Sequence, residues 1–246
     1  MIRLSKSGVK TYEICPRKYR FIYVEKMSLD EGAEARRGKE LHKKFEEFYN
    51  EIKKPEDIKD KKWEELRGDP DTNNFLNFVD YLYETLGNKE EVIPLAKEIK
   101  YYDPQLDVVG VIDVVYKAGD KYILLDYKTG KFDERYMSDY RFELAIYAYL
   151  WNKNNMEKIT HWGVLFTKCG KLWVEEIKSA STTFALKKIE KVKQLIKQER
   201  FEPTFSVLCS YCPYIGLCVE ESEKIGETNC AFLFKKTNGE NYATTL

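Results

Sequence analysis

The chain has 246 residues, and its 41 basic and 41 acidic side chains give a formal net charge of zero. With 43% hydrophobic and 33% charged residues, the composition is normal for a soluble globular protein. No apolar run is long enough to span a membrane, and the start of the chain lacks the apolar core of a secretory signal. We therefore expect a cytoplasmic protein without a membrane partner. The neutral balance is still compatible with a local basic groove for nucleic acid.

The first predicted helices lie in residues 4–27. Ser5 or Ser7 is expected to cap a short helix that runs to Cys15, and Pro16 permits a new helical start in its first turn. Basic and aromatic side chains alternate after this proline, in the order RKYRFIY. The alternation fits a nucleic-acid-binding edge or a helix with a basic face and an aromatic core face, and the second interpretation is favoured.

Two amphipathic helices and a strand are predicted next. Residues 32–52 and 73–86 carry apolar side chains at helical spacing. His42 lies beside the apolar stripe of the first of these helices, where a single histidine is more often a surface or core residue than a ligand. Residues 92–102 have the pattern of a strand that leads into the central hairpin. Glu98 in this strand is a further acid, which we interpret as an exposed strand residue.

The central stretch from Val108 to Lys131 reads VVGVIDVVYKAGDKYILLDYKTGK and predicts a β-hairpin around a turn that contains glycine. Each strand places one acid among apolar residues, Asp113 in the first and Asp126 in the second. Lys128 projects from the same strand face as Asp126, since the two are two residues apart. Buried carboxylates must be paired or bind a metal, so a hard cation such as Mg²⁺ would satisfy both acids. A solvated ion pair on an edge strand is the alternative.

Helices and strands are mixed after the hairpin. Residues 132–155 predict a helix in which Glu143 and Tyr147 lie one turn apart on a face next to the apolar stripe. Residues 159–177 predict a second hairpin, and residues 182–200 predict a lysine-rich amphipathic helix. Together these elements predict an α/β core with a central mixed β-sheet flanked by helices.

The six cysteines indicate metal or redox chemistry more than disulfides in an intracellular protein. Cys209, Cys212 and Cys218 have the spacing C-x2-C-x5-C, and two cysteines separated by two residues can bind one metal centre through a tight turn. A tetrahedral or cubane centre needs four ligands. The fourth is Cys15 or Cys230, and the spacing alone does not decide between them.

Taken in chain order, the motifs LSKSGVKTYEICPRKYR, RGKELH, GVID, LLDYKTG, ELAIY and CSYCPYIGLC resemble those of the RecB-type nucleases of the PD-(D/E)XK superfamily. The resemblance covers the chain from Leu4 to about Cys218. It is to the branch that carries an iron–sulfur cluster, which includes the AddB nuclease domain and the CRISPR-associated RecB-like exonucleases. It implies a restriction-endonuclease-like nuclease core in residues 31–200 and an iron–sulfur unit formed by residues 1–30 and 201–246.

The resemblance also implies roles for single residues. Asp113 and Asp126 match the two acids of the family motif, and Lys128 matches its lysine. His42 matches a histidine that helps bind Mg²⁺ or Mn²⁺, and the carbonyl of Tyr127 is expected to complete the shell of that metal. The four ligands of a [4Fe-4S] cluster, with Zn²⁺ as the alternative, are matched by Cys15, Cys209, Cys212 and Cys218.

One position departs from the family pattern, which usually has Gln-x-x-x-Tyr in the helix after the hairpin. The chain has Glu143 and Tyr147 there, which leaves their expected DNA contact open, because a glutamate cannot donate the hydrogen bonds of an amide. The resemblance implies a metal-dependent DNA exonuclease or end-processing nuclease that acts on single-stranded DNA or free ends, in recombination and repair, replication or CRISPR adaptation. The alternative is a non-cleaving DNA-binding or structural subunit that works beside a helicase or CRISPR integration proteins.

Overall fold

The computed structural model describes residues 4–27 and 32–224 of the chain. These residues belong to two compact units, a larger one within Asp30–Lys188 and a smaller one within Met1–Leu29 and Ile189–Leu246. Among the helices of the described residues, none combines the length and the apolar character needed to cross a membrane.

A five-stranded sheet forms the centre of the larger unit. Its strands are β1 (Ala96–Asp103), β2 (Val108–Ala118), β3 (Lys121–Lys128), β4 (His161–Phe166) and β5 (Lys171–Glu176), adjacent in that order. β3 and β4 pair in parallel, whereas the other neighbours pair antiparallel. The mixed sheet confirms the predicted α/β core, including both hairpins and the strand before them.

The hairpin of β2 and β3 forms where the sequence predicts it. Ala118 pairs with Lys121, which leaves Gly119 and Asp120 as a two-residue turn. Gly119 has a φ of 64°, a conformation that glycine adopts without the Cβ clash that other residues would meet. The turn therefore helps to fix the register in which the two strands present their acids.

Helices flank the sheet and complete both units. They are α1 (Lys6–Ile14), α2 (Pro16–Tyr19), α3 (Ala33–Glu51), α4 (Pro70–Thr85), α5 (Met137–Asn154), α6 (Ser179–Lys197) and α7 (Ile215–Lys224). α3 and α4 bury aromatic side chains, Phe45 and Phe75 among them, in one apolar core with residues of β2 and β3. α5 packs against the four strands β1 to β4. These helices confirm the predicted amphipathic segments.

The smaller unit begins with α1, which the side chain of Ser5 caps as predicted. α2 starts at Pro16 and continues into a π-helix, Arg20–Val24. The assignment of Arg17 to a basic face is wrong. Its side chain is 5% exposed, and its Nη1 lies 2.8 Å from Ser222 Oγ on α7. The hydrogen bond to Ser222 helps to offset the cost of burying this charge.

Asp103, at the end of β1, ties this strand to α5. Its buried carboxylate lies 2.8 Å from Lys153 Nζ and accepts hydrogen bonds from the Tyr149 hydroxyl and the Gln105 N–H. Burial alone would raise the pKa of Asp103, but these three partners hold the pKa below its usual value. We expect Asp103→Asn to lower the free energy of unfolding at pH 7 by about 2 kcal/mol, because hydrogen bonds to a charged group are lost.

Urea unfolding between pH 7 and pH 2 tests this expectation. Because the pKa of Asp103 is lower in the folded state, its charge stabilises the fold above the unfolded pKa of about 3.9. That contribution is lost as the pH falls through the folded pKa, so the difference between wild type and Asp103→Asn should shrink in acid. Asp120→Asn, on an exposed turn, is the control. A difference that is the same at every pH would contradict the assignment.

Candidate active site

Three acidic residues occupy facing positions on three neighbouring strands. Lys97 and Ile99 pair with the two neighbours of Asp113 on β2, so Glu98 lies across from Asp113. Asp113 and Asp126 lie next to the pair Val114 and Leu125, at the end of the pairing of β2 with β3. Like charges that face each other destabilise a sheet, and buried carboxylates need a compensating cation. We term these three residues, Glu98, Asp113 and Asp126, the acidic row. A positive charge beside the acidic row is therefore strongly favoured.

Glu98 has a backbone conformation that is rare for its residue type. Its φ of 46° lies in the left-handed region, which costs energy for a residue with a Cβ and is found most often at functional sites. Its carboxylate is half-buried and lies 3.6 Å from His42 Nδ1. The interpretation of Glu98 as an exposed strand residue is therefore wrong. Its neighbours in the sequence do not reveal this role, because Glu98 reaches the site through the register of β1 with β2.

α3 brings His42 to the acidic row. The helix buries Leu41 and Phe45 in the core, and His42 projects beside them. Its Nδ1 lies 3.4 Å from Asp113 Oδ1. The ligand atoms of His42, Glu98 and Asp113 all lie within 4.8 Å of one another. Three side chains from three elements can therefore reach a single ion.

The charge of His42 depends on this acidic surrounding. Burial alone would lower the pKa of His42, but hydrogen bonds to Asp113 and Glu98 raise it to about 10. Without a metal, the imidazolium supplies positive charge to the two acids. A metal ligand must be deprotonated, so His42 would have to release this proton in order to hold a cation together with Glu98 and Asp113.

Asp126, Lys128 and Glu143 form the second half of the site. Lys128 Nζ lies 2.7 Å from Asp126 Oδ2 and 3.0 Å from Glu143 Oε2 of α5. Asp126 and Glu143 are 3% and 6% exposed, respectively. The alternative interpretation, a solvated pair on an edge strand, is therefore wrong, since β3 lies inside the sheet. Although burial lowers the pKa of Lys128, the two carboxylates raise it and keep the ammonium charged.

The structure thus brings the predicted site residues of the larger unit together in two adjoining groups. Asp126 faces Asp113 across the strands, and its carboxylate is paired with Lys128. The backbone N–H of Tyr127 donates a hydrogen bond of 2.7 Å to Asp113 Oδ2. Because this bond holds one oxygen of Asp113, the other is left to face His42. The metal-binding role of the Tyr127 carbonyl stays a prediction.

The donor set agrees with the metals that the sequence predicts. Carboxylate oxygens suit Mg²⁺ and Mn²⁺, and an imidazole is accepted better by Mn²⁺ than by Mg²⁺. A lysine next to such a site is placed to meet an anion, since the ammonium offers three hydrogen-bond donors. The arrangement can therefore hold a cation and a phosphate group close together.

The four cysteines that the sequence predicts as ligands of a metal centre line one cavity of about 260 Å³ in the smaller unit. Cys15 follows α1, and Cys218 lies on α7. Cys209 lies in the 3-10 helix Val207–Tyr211, and Cys212 directly follows it. Among the described residues, these four cysteines form no disulfide. Cys230, the other candidate for a fourth ligand, lies outside the described residues.

A mixed sheet with an acidic row and an adjacent lysine at its centre is a restriction-endonuclease-like core. The sequence model of the PD-(D/E)XK nuclease superfamily matches residues 3–219, so the chain belongs to this superfamily. Its members use divalent metals, which agrees with the acidic site.

One of the solved structures that match this chain shows the same fold. It is a crystal structure from Eubacterium rectale, described as a "Putative exonuclease", and its TM-score with this chain is 0.54. The similarity covers 86% of this chain and 87% of that one at 13% sequence identity. Among the curated proteins, none matches the sequence.

Proposed function

We propose that this chain is a metal-dependent deoxyribonuclease that hydrolyses phosphodiester bonds, as an exonuclease or end-processing enzyme. The observation that carries the proposal is the convergence of the acidic row, His42 and Lys128 in a member of a nuclease superfamily. Single-stranded DNA with a free end is the proposed substrate, in line with the resemblance to the RecB-type branch.

Some of the site residues would bind the metal, and Lys128 would act on the attacking water and the phosphate. His42 and the acidic row would hold the metal, which when bound lowers the pKa of a water molecule and polarises the scissile phosphate. The N–H of Tyr127 keeps the carboxylate of Asp113 in a fixed orientation. Lys128 orients the attacking water and offsets the negative charge that develops on the phosphate in the transition state.

Cleavage of end-labelled DNA tests this function. Protein purified without oxygen is incubated with single- and double-stranded DNA in Mn²⁺, Mg²⁺ or EDTA. We expect linear single strands to be shortened in Mn²⁺, more slowly in Mg²⁺, and not at all in EDTA. A circular single strand is the control, since an exonuclease needs an end. Failure to cut any of these substrates with either metal would overturn the proposal.

We also propose that the two ends of the chain, residues 1–30 and 201–246, form an iron–sulfur unit with a [4Fe-4S] cluster on Cys15, Cys209, Cys212 and Cys218. Their common cavity supports this. The choice of a cluster over Zn²⁺ follows the resemblance to the branch that carries an iron–sulfur cluster.

Cys212→Ala is expected to lose iron and thermal stability together. A cluster that joins Cys15 to the C-terminal cysteines closes a loop of nearly the whole chain, which restricts the unfolded state. By analogy with a disulfide across a long loop, its loss should lower Tm by on the order of 10 °C. Iron content and calorimetry measure both effects. Cys169→Ala, at an exposed cysteine of the other unit, is the control. A variant that loses iron but keeps its Tm would contradict the stabilising role.

The second candidate function is a non-cleaving DNA-binding or structural subunit of a helicase–nuclease or spacer-acquisition complex. The observation in its favour is Glu143, which adds a carboxylate where a phosphate is expected to bind. The ion pair with Lys128 offsets that negative charge. A phosphate could therefore still bind, which favours the nuclease function over the second candidate. Binding of DNA without cleavage in the assay above would establish the second candidate.

A further inference from the structure

Each carboxylate oxygen of Glu143 contacts a side chain inside the site. Oε2 lies 3.0 Å from Lys128 Nζ, and Oε1 accepts a hydrogen bond of 3.2 Å from the Tyr147 hydroxyl. Glu143 is 6% exposed, so water competes little for either contact. Two partners on two sides hold the carboxylate in one orientation.

Tyr147 is itself held by the sheet. It follows Glu143 by one helical turn on α5, and its ring lies against Gly110 of β2. A Cβ added at Gly110 would come within 2.9 Å of this ring, so only glycine permits the close approach. Because Gly110 lies on β2, the strand that also carries Asp113, this contact holds Tyr147 against that strand.

The two carboxylate partners of Lys128 are not equivalent. Asp126 belongs to the acidic row, so a cation held there would compete with Lys128 for its carboxylate. Glu143 lies on α5 outside the row, so its contact with Lys128 would not face that competition. A lysine has a flexible four-carbon stem and takes a defined position only when its ammonium is held.

We propose that Glu143 is a positioning residue, which holds Lys128 in its working place while Asp126 binds the metal, and that Tyr147 fixes Glu143 for this task. The proposal rests on the nuclease function above. It gives Glu143 a part in orienting the lysine, in place of the direct DNA contact that its position in the family motif would suggest.

Two substitutions at Glu143 distinguish a positioning role from a role that depends on its negative charge alone. Glu143→Ala removes the support of Lys128 and should slow single-turnover cleavage in Mn²⁺ by about 100-fold, the cost of misplacing a reacting group by about 1 Å. The DNA concentration at half-saturation should not change. Glu143→Gln should retain most of the rate, because its amide oxygen still accepts from Lys128. Glu134→Ala, on the exposed turn before α5, is the control. Wild-type speed in Glu143→Ala, or equal losses in both variants, would overturn the proposal.

A stability measurement tests the same contact without catalysis. In urea unfolding, Glu143→Ala should lower the midpoint in the wild-type background, since it leaves Lys128 with a single carboxylate. In a Lys128→Met background the same substitution should leave the midpoint unchanged or raise it, because it removes a buried carboxylate that has already lost its cation. Equal effects in the two backgrounds would refute the coupling. This result stands even if the wild type does not cut DNA, so the two proposals fail separately.

Discussion

Lys128→Ala is expected to slow single-turnover DNA cleavage by on the order of 10²- to 10³-fold, the usual cost of losing one preorganised charge at a transition state. Lys128 is the ammonium that the structure places between two buried carboxylates, Asp126 and Glu143. In such a poorly solvated place a charge acts more strongly on a phosphate than it would in water. The rate constant at saturating DNA and Mn²⁺ measures the loss.

Folding has to be separated from chemistry in this experiment. Lys128→Ala leaves two buried carboxylates without their shared cation, which destabilises the protein. Unfolding in urea shows whether the variant is folded at the assay temperature, and DNA binding in EDTA shows whether the substrate site is intact. Lys121→Ala, at the exposed start of the same strand, is the matched control and should cut at the wild-type rate. A folded Lys128→Ala protein that cuts at that rate would remove Lys128 from the mechanism.

Asp113→Asn is expected to weaken Mn²⁺ binding by at least about 100-fold, since loss of a residue that only supports a ligand already costs 10- to 100-fold. Asp113 stands in the middle of the acidic row and contacts both His42 and the Tyr127 N–H. An asparagine keeps the hydrogen bond with Tyr127 and loses the charge, so the variant isolates the electrostatic part of the site.

Calorimetric titration with Mn²⁺ gives the affinity of each protein without relying on cleavage. Asp120→Asn removes one carboxylate from the exposed turn of the same hairpin and should bind Mn²⁺ like the wild type. Cleavage by Asp113→Asn should fall in parallel and recover in part at high Mn²⁺. Unchanged affinity in Asp113→Asn would show that the acidic row does not hold the metal.

The sequence alone was sufficient to predict the structure where local pattern and local chemistry agree. The β2–β3 hairpin follows from two apolar runs around Gly119, and the positions of Asp113 and Asp126 follow from their place in those runs. His42 is different, because its helix is evident from the apolar spacing whereas its contact with Asp113 depends on how α3 packs. Its link to the site came from the family motif.

Contacts between distant elements could not be read from local pattern. Glu98 reaches the site through the register of β1 with β2 and through a strained φ, neither of which leaves a trace in its own neighbours. Arg17 sits in a basic run and yet is buried against α7, far along the chain. The pairing of Lys128 with Glu143 depends on the approach of α5 to Gly110. Each of these is a tertiary contact.

The most direct test of the metal site is anomalous diffraction from a crystal of the wild-type protein soaked in Mn²⁺. We expect a strong anomalous peak between His42 and the acidic row, at coordination distance from Asp113. The same soak of Asp113→Asn should show a much weaker peak. A wild-type crystal with no peak at this position, or with its strongest peak elsewhere on the sheet, would contradict the claim that these residues hold the catalytic metal.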